Sequence, residues 1–297
     1  AKTGEDAEGE VAVEFGYIEA KLQPWLNVRA GMLLIPVGII NELHEPPTFH
    51  GALRPEVARR IIPATWRANG VGLAGSTASG IGYKLYAVES LNAANFSSNG
   101  IRSGRQEGSK AIAEDFAVTG RLNYTGLSGL DFGASFFVGN SGQALVDSAG
   151  NDIDATVALF ALHFMFNRSG LELRGVYAHS SISDVTRLNR TLGLEGANSI
   201  GEEQNGFYVT AAYDILPLLV QNTAHYLAPF VQVEHFNTQS DVPTGFSKNP
   251  ARERTNVSLG LTYKPHPNVA FKIDYLNRDN DANSAVDQFN VAVNYLF

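Results

Sequence analysis

The chain has 297 residues, 44% hydrophobic and 18% charged, with a mean hydropathy of -0.09 and a formal net charge of -8. That acidic balance gives a nucleic-acid-binding role no electrostatic support. The lack of cysteine excludes disulfides and thiolate metal sites, and suits export through an oxidising periplasm.

Taken in chain order, period-two segments recur at 10–22, 26–35, 69–77, 80–90, 114–125, 129–139, 154–166, 170–180, 204–214, 226–237, 254–264, 268–277 and 286–297. Alternation of this kind places one set of side chains on each face of a strand. Phe207, Val209, Ala211 and Tyr213 share one parity, with Thr210 and Asp214 on the other. In 289–297, Phe289, Val291, Val293, Tyr295 and Phe297 share the apolar parity, and Asn290 and Asn294 lie opposite. Most segments have the ~10 residues that a tilted strand needs to cross a bilayer. The longest apolar run, 32–40, is broken by Pro36 and falls short of the ~18 residues of a membrane helix. The expected fold is all-β: a transmembrane antiparallel β-barrel forming one domain over 1–297.

Connections alternate in length. Short ones lie at 23–24, 78–79, 126–128, 167–169 and 265–267; long ones lie near 36–68, 91–113, 140–153, 181–203 and 238–253. Short periplasmic turns and long outer loops produce this alternation. Tyr17, Trp25, Tyr124, Tyr213, Tyr263 and Tyr295 fall near the short-turn ends and are expected to form a membrane-interface girdle. Phe136, Tyr177, Phe236 and Tyr275 are the expected upper belt. Phe297 ends the last strand as the expected signal to the outer-membrane barrel assembly machinery. Thirteen strands ending in the periplasm would start outside, whereas bacterial barrels have even strand numbers. The expectation is therefore sixteen strands, with three N-terminal strands preceding residue 1, or fourteen as the alternative, with one.

The inward parities carry Arg29, Lys84, Arg121, Asp131, Arg174, Lys264 and Lys272 among other charges. A wall of mixed charge fits a hydrated passage. Residues 36–68 hold five prolines, Arg54, Arg59, Arg60 and Arg67, and Glu42, Glu45 and Glu56. The stretch is too long and too apolar to hang in water. It is expected to fold against the wall and narrow the passage, with a helical turn near 55–60. The other reading is an outer cap. In the first reading Arg54, Arg59, Arg60, Arg67 and Glu42 face permeating anions, since rings of arginine select for anions. Arg102, Arg105 and Lys110 read as surface charges.

The runs MLLIPVGIINEL (32–43) and RRIIPATWRANGVGL (59–73) resemble the phosphate-selective porin O/P family. Pro36, Val37, Gly38 and Glu42 follow its Pro-x-Gly turn with a nearby acid; Arg67, Asn69 and 70–72 follow its arginine loop and glycine-rich strand. The resemblance implies a trimer of 16-stranded barrels that passes anions or small solutes.

Other motifs carry less. GVGLAG (70–75) matches a dinucleotide pattern, but a strand and turn follow it rather than a helix. Seven histidines show no metal spacing, and the turn around 279–287 lacks the glycine and terminal glutamate of a calcium loop. The reading is an outer-membrane porin of a Gram-negative bacterium, a passive-diffusion channel with no catalytic chemistry, no metal and no cofactor. Its partners are membrane lipid, lipopolysaccharide, small solutes or anions, and further copies in a trimer. The alternatives are a scaffold barrel with a plugged lumen and an outer-membrane hydrolase with its site at the rim.

Overall fold

Alternation of side chains, repeated along the chain, builds one sheet. The computed structural model describes residues 13–296. Its strands are β1 (Gly16–Gln23), β2 (Leu26–Leu34), β3 (Arg67–Ser76), β4 (Ile81–Glu89), β5 (Phe116–Leu127), β6 (Leu130–Gly139), β7 (Val157–Arg168), β8 (Leu171–Ile182), β9 (Glu203–Tyr213), β10 (Tyr226–Asp241), β11 (Glu253–His266), β12 (Val269–Asn280) and β13 (Gln288–Tyr295). Each of the expected segments carries one of them. Every strand pairs antiparallel with its sequence neighbour, in the order β1 to β13. Among the described residues β1 and β13 are the sheet's two edges, and no helix is long and apolar enough to cross a membrane.

Directly paired residues share a face. Leu122, Ala134, Leu162, Tyr177 and Phe207 are joined in register from β5 to β9. In that row the large residues are exposed. One residue along, Arg121, Ser135, Ala161, Ala178 and Gly206 form the facing row, where Ser135, Ala161 and Ala178 are buried. The first row is the outer, apolar face and the second the inner, polar and small-residue face.

Short connections gather at one end of the sheet and long ones at the other. The link 214–225 contains a short helix, α3 (Leu216–Leu219), with Leu218 and Leu219 exposed. The long link 183–202 folds a helix that the sequence reading did not anticipate, α2 (Val185–Thr191), which buries Val185 and Leu188.

The longest connection, 35–66, lies against the inner face. Its Ile35, Val37, Ile39, Val57, Ile61, Ile62 and Trp66 are buried with Leu33, Val88 and Phe137 of the wall. The Trp66 and Phe137 rings lie 4.5 Å apart. Each such side chain gains about 1.5–3 kcal/mol by leaving water, which is why an apolar insertion folds inward rather than out into solvent. The glycines of β3 make room on this face: a Cβ at Gly72 would come within 2.6 Å of the Tyr86 ring.

Two aromatic expectations are corrected. Tyr17 pairs with Gly31 and Glu19 with Arg29, so Tyr17 is on the inner face, not in the girdle; Arg29 sits 5.1 Å from its ring centroid. Phe236 pairs with Gly206 and is buried inside rather than standing in an upper belt. Alternate residues of a strand share a face, so Tyr17 goes inward with Glu19, which binds Arg29, and Phe236 with Glu234, which binds the Val57 N–H.

Candidate functional site

The segment 35–66 begins on a turn that only glycine adopts without strain: Gly38 has φ +68°. Its N–H donates to Ser135 Oγ at 3.1 Å, and its carbonyl accepts from Arg121 at 3.0 Å. Asn41 then ties the segment's two ends together. Its Nδ2 donates to the Ile35 and Trp66 carbonyls at 2.7 and 2.8 Å, and its Oδ1 accepts from the Trp66 N–H at 2.6 Å. Glu42 takes an ion pair from Lys84 and another from Arg121 at 3.4 Å.

Further along, the proline-rich stretch has no ladder of its own, so its carbonyls need donors from the wall. Lys272 donates to Phe49 and Gly51 at 2.6 and 2.9 Å, and also to Pro46. Lys264 donates to Pro47 at 2.7 Å, Thr262 to His50 at 2.8 Å, and Arg174 to Thr48. The Ala52 N–H donates to Asp274 at 2.7 Å and the Val57 N–H to Glu234 at 3.2 Å. The segment is thus fastened to β5, β6, β8, β10, β11 and β12 by side chains of the inner parity.

The named residues fall into three groups. Lys84, Arg121, Arg174 and Glu42 hold the segment, while Asp131 lies beside Arg121 and His163. Arg29 pairs with Glu19 at 3.2 Å and donates to Tyr86 at 3.0 Å. Arg54, Arg59 and Arg60 ride on the segment around the short helix α1 (Val57–Arg60), which lies in the expected place. Glu56 holds Arg59 and Arg60 at 3.2 and 2.9 Å. Burial, reinforced by Arg59, lowers the Arg54 pKa below its ordinary value.

Arg67 is a correction. It begins β3 on the parity of Val71 and Leu73, which is the outer one, and donates to the Glu107 carbonyl at 3.2 Å. The next long loop therefore takes it away from the inner face. Arg102 and Arg105 are not surface charges either: they are drawn under that loop and donate to the carbonyls of Ala64 and Thr65. Burial first, then Arg105, Arg59, Arg54 and Arg60, lowers the Arg102 pKa to about 9; Arg105 is lowered mainly by burial. Lys110 is exposed as expected.

Trp25 is exposed in the β1–β2 turn; Tyr213 and Tyr295 are exposed, and Tyr124 and Tyr263 half-buried, on the outer face near the short-turn end. Tyr124 packs on Phe132 at 5.7 Å and Tyr263 on Phe271 at 6.3 Å. Phe297 lies outside the described residues. Of the serines that a rim site could use with His179, Ser180 points to the opposite face of β8 and Ser181 to the same face.

Two spaces flank the segment. On the long-loop side a cavity of ≈ 490 Å³ is lined by Arg59, Arg60, Arg254, Arg278, Glu56 and Asp279 among others. Toward the short-turn side a cavity of ≈ 500 Å³ meets Tyr17, Arg29, Glu42, Glu45, Lys84 and Asp131. Sequence reasoning missed Arg254 and Arg278. Their parity with Asn256 and Asp274 was available, but their nearness to the segment was not. Lys264 and Lys272 were read as inward, without their task of binding carbonyls.

No family model matches the chain. Among solved structures it is similar to Salmonella typhi OmpF in complex with daunomycin (TM-score 0.57, 15% identity, 91% of this chain and 74% of that one). It is likewise similar to the anion-selective porin from Comamonas acidovorans (TM-score 0.54, 10% identity, 95% and 72%) and to the outer-membrane channel DcaP of Acinetobacter baumannii (TM-score 0.54, 12% identity, 99% and 75%). At those identities the likeness concerns the fold. In sequence it is 36% identical over 304 residues to an uncharacterized protein of Aquifex aeolicus (strain VF5), covering 99% of this chain and 67% of the relative. On that identity and coverage the chain belongs to the same family as the Aquifex aeolicus protein, with the sheet architecture of outer-membrane porins.

Proposed function

We propose that the protein is a bacterial outer-membrane channel of porin type, passing small hydrophilic solutes by diffusion alongside segment 35–66, with a preference for anions. The observation that carries this reading is the division of the sheet into an apolar outer face and a polar inner face, with the segment's arginines beside a cavity on the inside. Lipid suits the first face and water the second.

A sheet in hydrocarbon closes on itself, because a strand edge is not tolerated in lipid. In this reading the barrel closes with sixteen strands, a number that leaves a hydrated lumen. Subunits associate as a trimer, with lipopolysaccharide around the long loops and the assembly machinery acting on the final strand. The domain reading, one barrel with an inserted constriction, belongs to the same proposal.

A second reading draws on the dense apolar core between segment and wall: a plugged scaffold barrel that conducts nothing. Single-channel recording in planar bilayers separates the two. Steady conductance is expected, with a reversal potential in a salt gradient that reports anion preference. Silence would favour the scaffold. Cation selectivity, or a reversal potential unmoved by Arg59→Ala with Arg60→Ala, would remove the arginines from the account.

A further inference from the structure

We infer that the long-loop-side cavity is a binding site for a hydroxyl-bearing organic anion with two separated acidic groups. The inference rests on the channel reading and goes beyond it by assigning a ligand class and two residues from the wall.

Four guanidinium groups meet there from opposite sides. Arg59 and Arg60 come from α1 on the segment; Arg254 and Arg278 come from the inner parity of β11 and β12. Only Glu56 and Asp279 oppose them in the cavity lining. Glu56 is engaged through the Nε atoms of Arg59 and Arg60. Arg254 uses its Nε on the Ala251 carbonyl at 2.8 Å. The Arg278 side chain has no hydrogen bond or ion pair among the described residues.

Cationic donors remain in excess just beyond the lining. Arg54 Nη1 and Arg252 Nε are buried without a hydrogen-bond partner. A chain of net charge -8 that concentrates arginine at one place sets up a local positive potential. Paired guanidinium forks are suited to carboxylate or phosphate groups.

Size and lining define the ligand further. At ≈ 490 Å³ the space lies within the roughly 300–1,000 Å³ range of small-molecule sites, far more than a lone tetrahedral oxyanion fills. An anion bridging both arginine pairs needs an acidic group at each end. Gln288 and Asn256 also line the cavity; Asn256 spends its Nδ2 on Glu234 at 2.9 Å, which leaves the Gln288 amide as the one suited to a hydroxyl. The lining belongs mainly to the inner face, so a dissolved solute reaches it more directly than a membrane lipid.

The test is calorimetric titration of the detergent-solubilised protein with fructose 1,6-bisphosphate, inorganic phosphate and fructose. Fructose 1,6-bisphosphate is expected to bind about tenfold or more tightly than inorganic phosphate, with fructose not binding. Arg254→Gln with Arg278→Gln is expected to weaken it at least about tenfold, and the corresponding lysine pair to restore part of the loss. Equal affinity for inorganic phosphate, or an unchanged affinity in the glutamine variant with an unchanged unfolding midpoint, overturns the inference. Bilayer recording in KCl is run on the same preparation. Conductance without binding overturns the site and leaves the channel; binding without conductance overturns the channel and leaves the site.

Discussion

Lys272 donates to the Phe49 carbonyl at 2.6 Å while its Nζ lies 4.2 Å from the centroid of the Phe49 ring. A strand lysine thereby grips one residue of the inner segment by backbone and by ring. With the Pro46 and Gly51 carbonyls also taken, all three ammonium donors have acceptors. The charge is 2% exposed, so the grip is a desolvated one.

Replacing Lys272 with methionine leaves those carbonyls without their donor. The expected cost is about 3 kcal/mol, read as a lower unfolding midpoint in detergent. The 46–52 stretch should become open to added protease and single-channel conductance should rise. A variant with wild-type conductance and protection would show that apolar packing alone holds the segment.

Gly38→Ala tests the turn that starts the segment. The added Cβ would stand 2.7 Å from Ile62 Cδ1 at φ +68°, and the left-handed conformation costs an alanine about 1–2 kcal/mol. Destabilisation of that size is expected in thermal unfolding. A neutral result would mean that both the turn and Ile62 give way freely.

Acid should loosen the segment through His50. Burial lowers its pKa below the ordinary 6.5, outweighing Glu172, which raises it; Arg174 and Lys264 add to the lowering. The docked segment therefore binds the proton less readily than the released one. The sign follows from linkage: docking is fully stable above about 6.5 and weakens as pH falls from there through the docked-state pKa. Protease cleavage within 46–52 is expected to speed up between pH 7 and pH 5, and His50→Gln to flatten that component. A slope of the opposite sign would exclude His50 as its source.

Tyr17 and Tyr213 are both 39% exposed and face opposite ways. In lipid vesicles without other tryptophans, Tyr213→Trp fluorescence should be quenched by brominated lipid and Tyr17→Trp fluorescence by aqueous iodide. Lipid quenching at residue 17 would put β1 in the opposite register.

The strands, their sequence and the division into apolar and polar parities were all legible in the amino-acid order, because a strand's two faces depend only on alternation. So was the inward direction of Lys264, Lys272, Arg121 and Arg174. The partners of these residues were not legible. Lys272 meets Phe49 across more than two hundred residues, and nothing local to either announces it. Tyr17 shows the same limit from the other side: its parity became known only through its pairing with Gly31. Arg67 and Arg59 look alike in sequence, yet one is taken by a loop on the outer side and the other rides the segment inside. Alternation decides that a strand has two faces, whereas the paths of the long connections decide which charges meet on the inner face, since those contacts form only when distant parts of the chain are brought together.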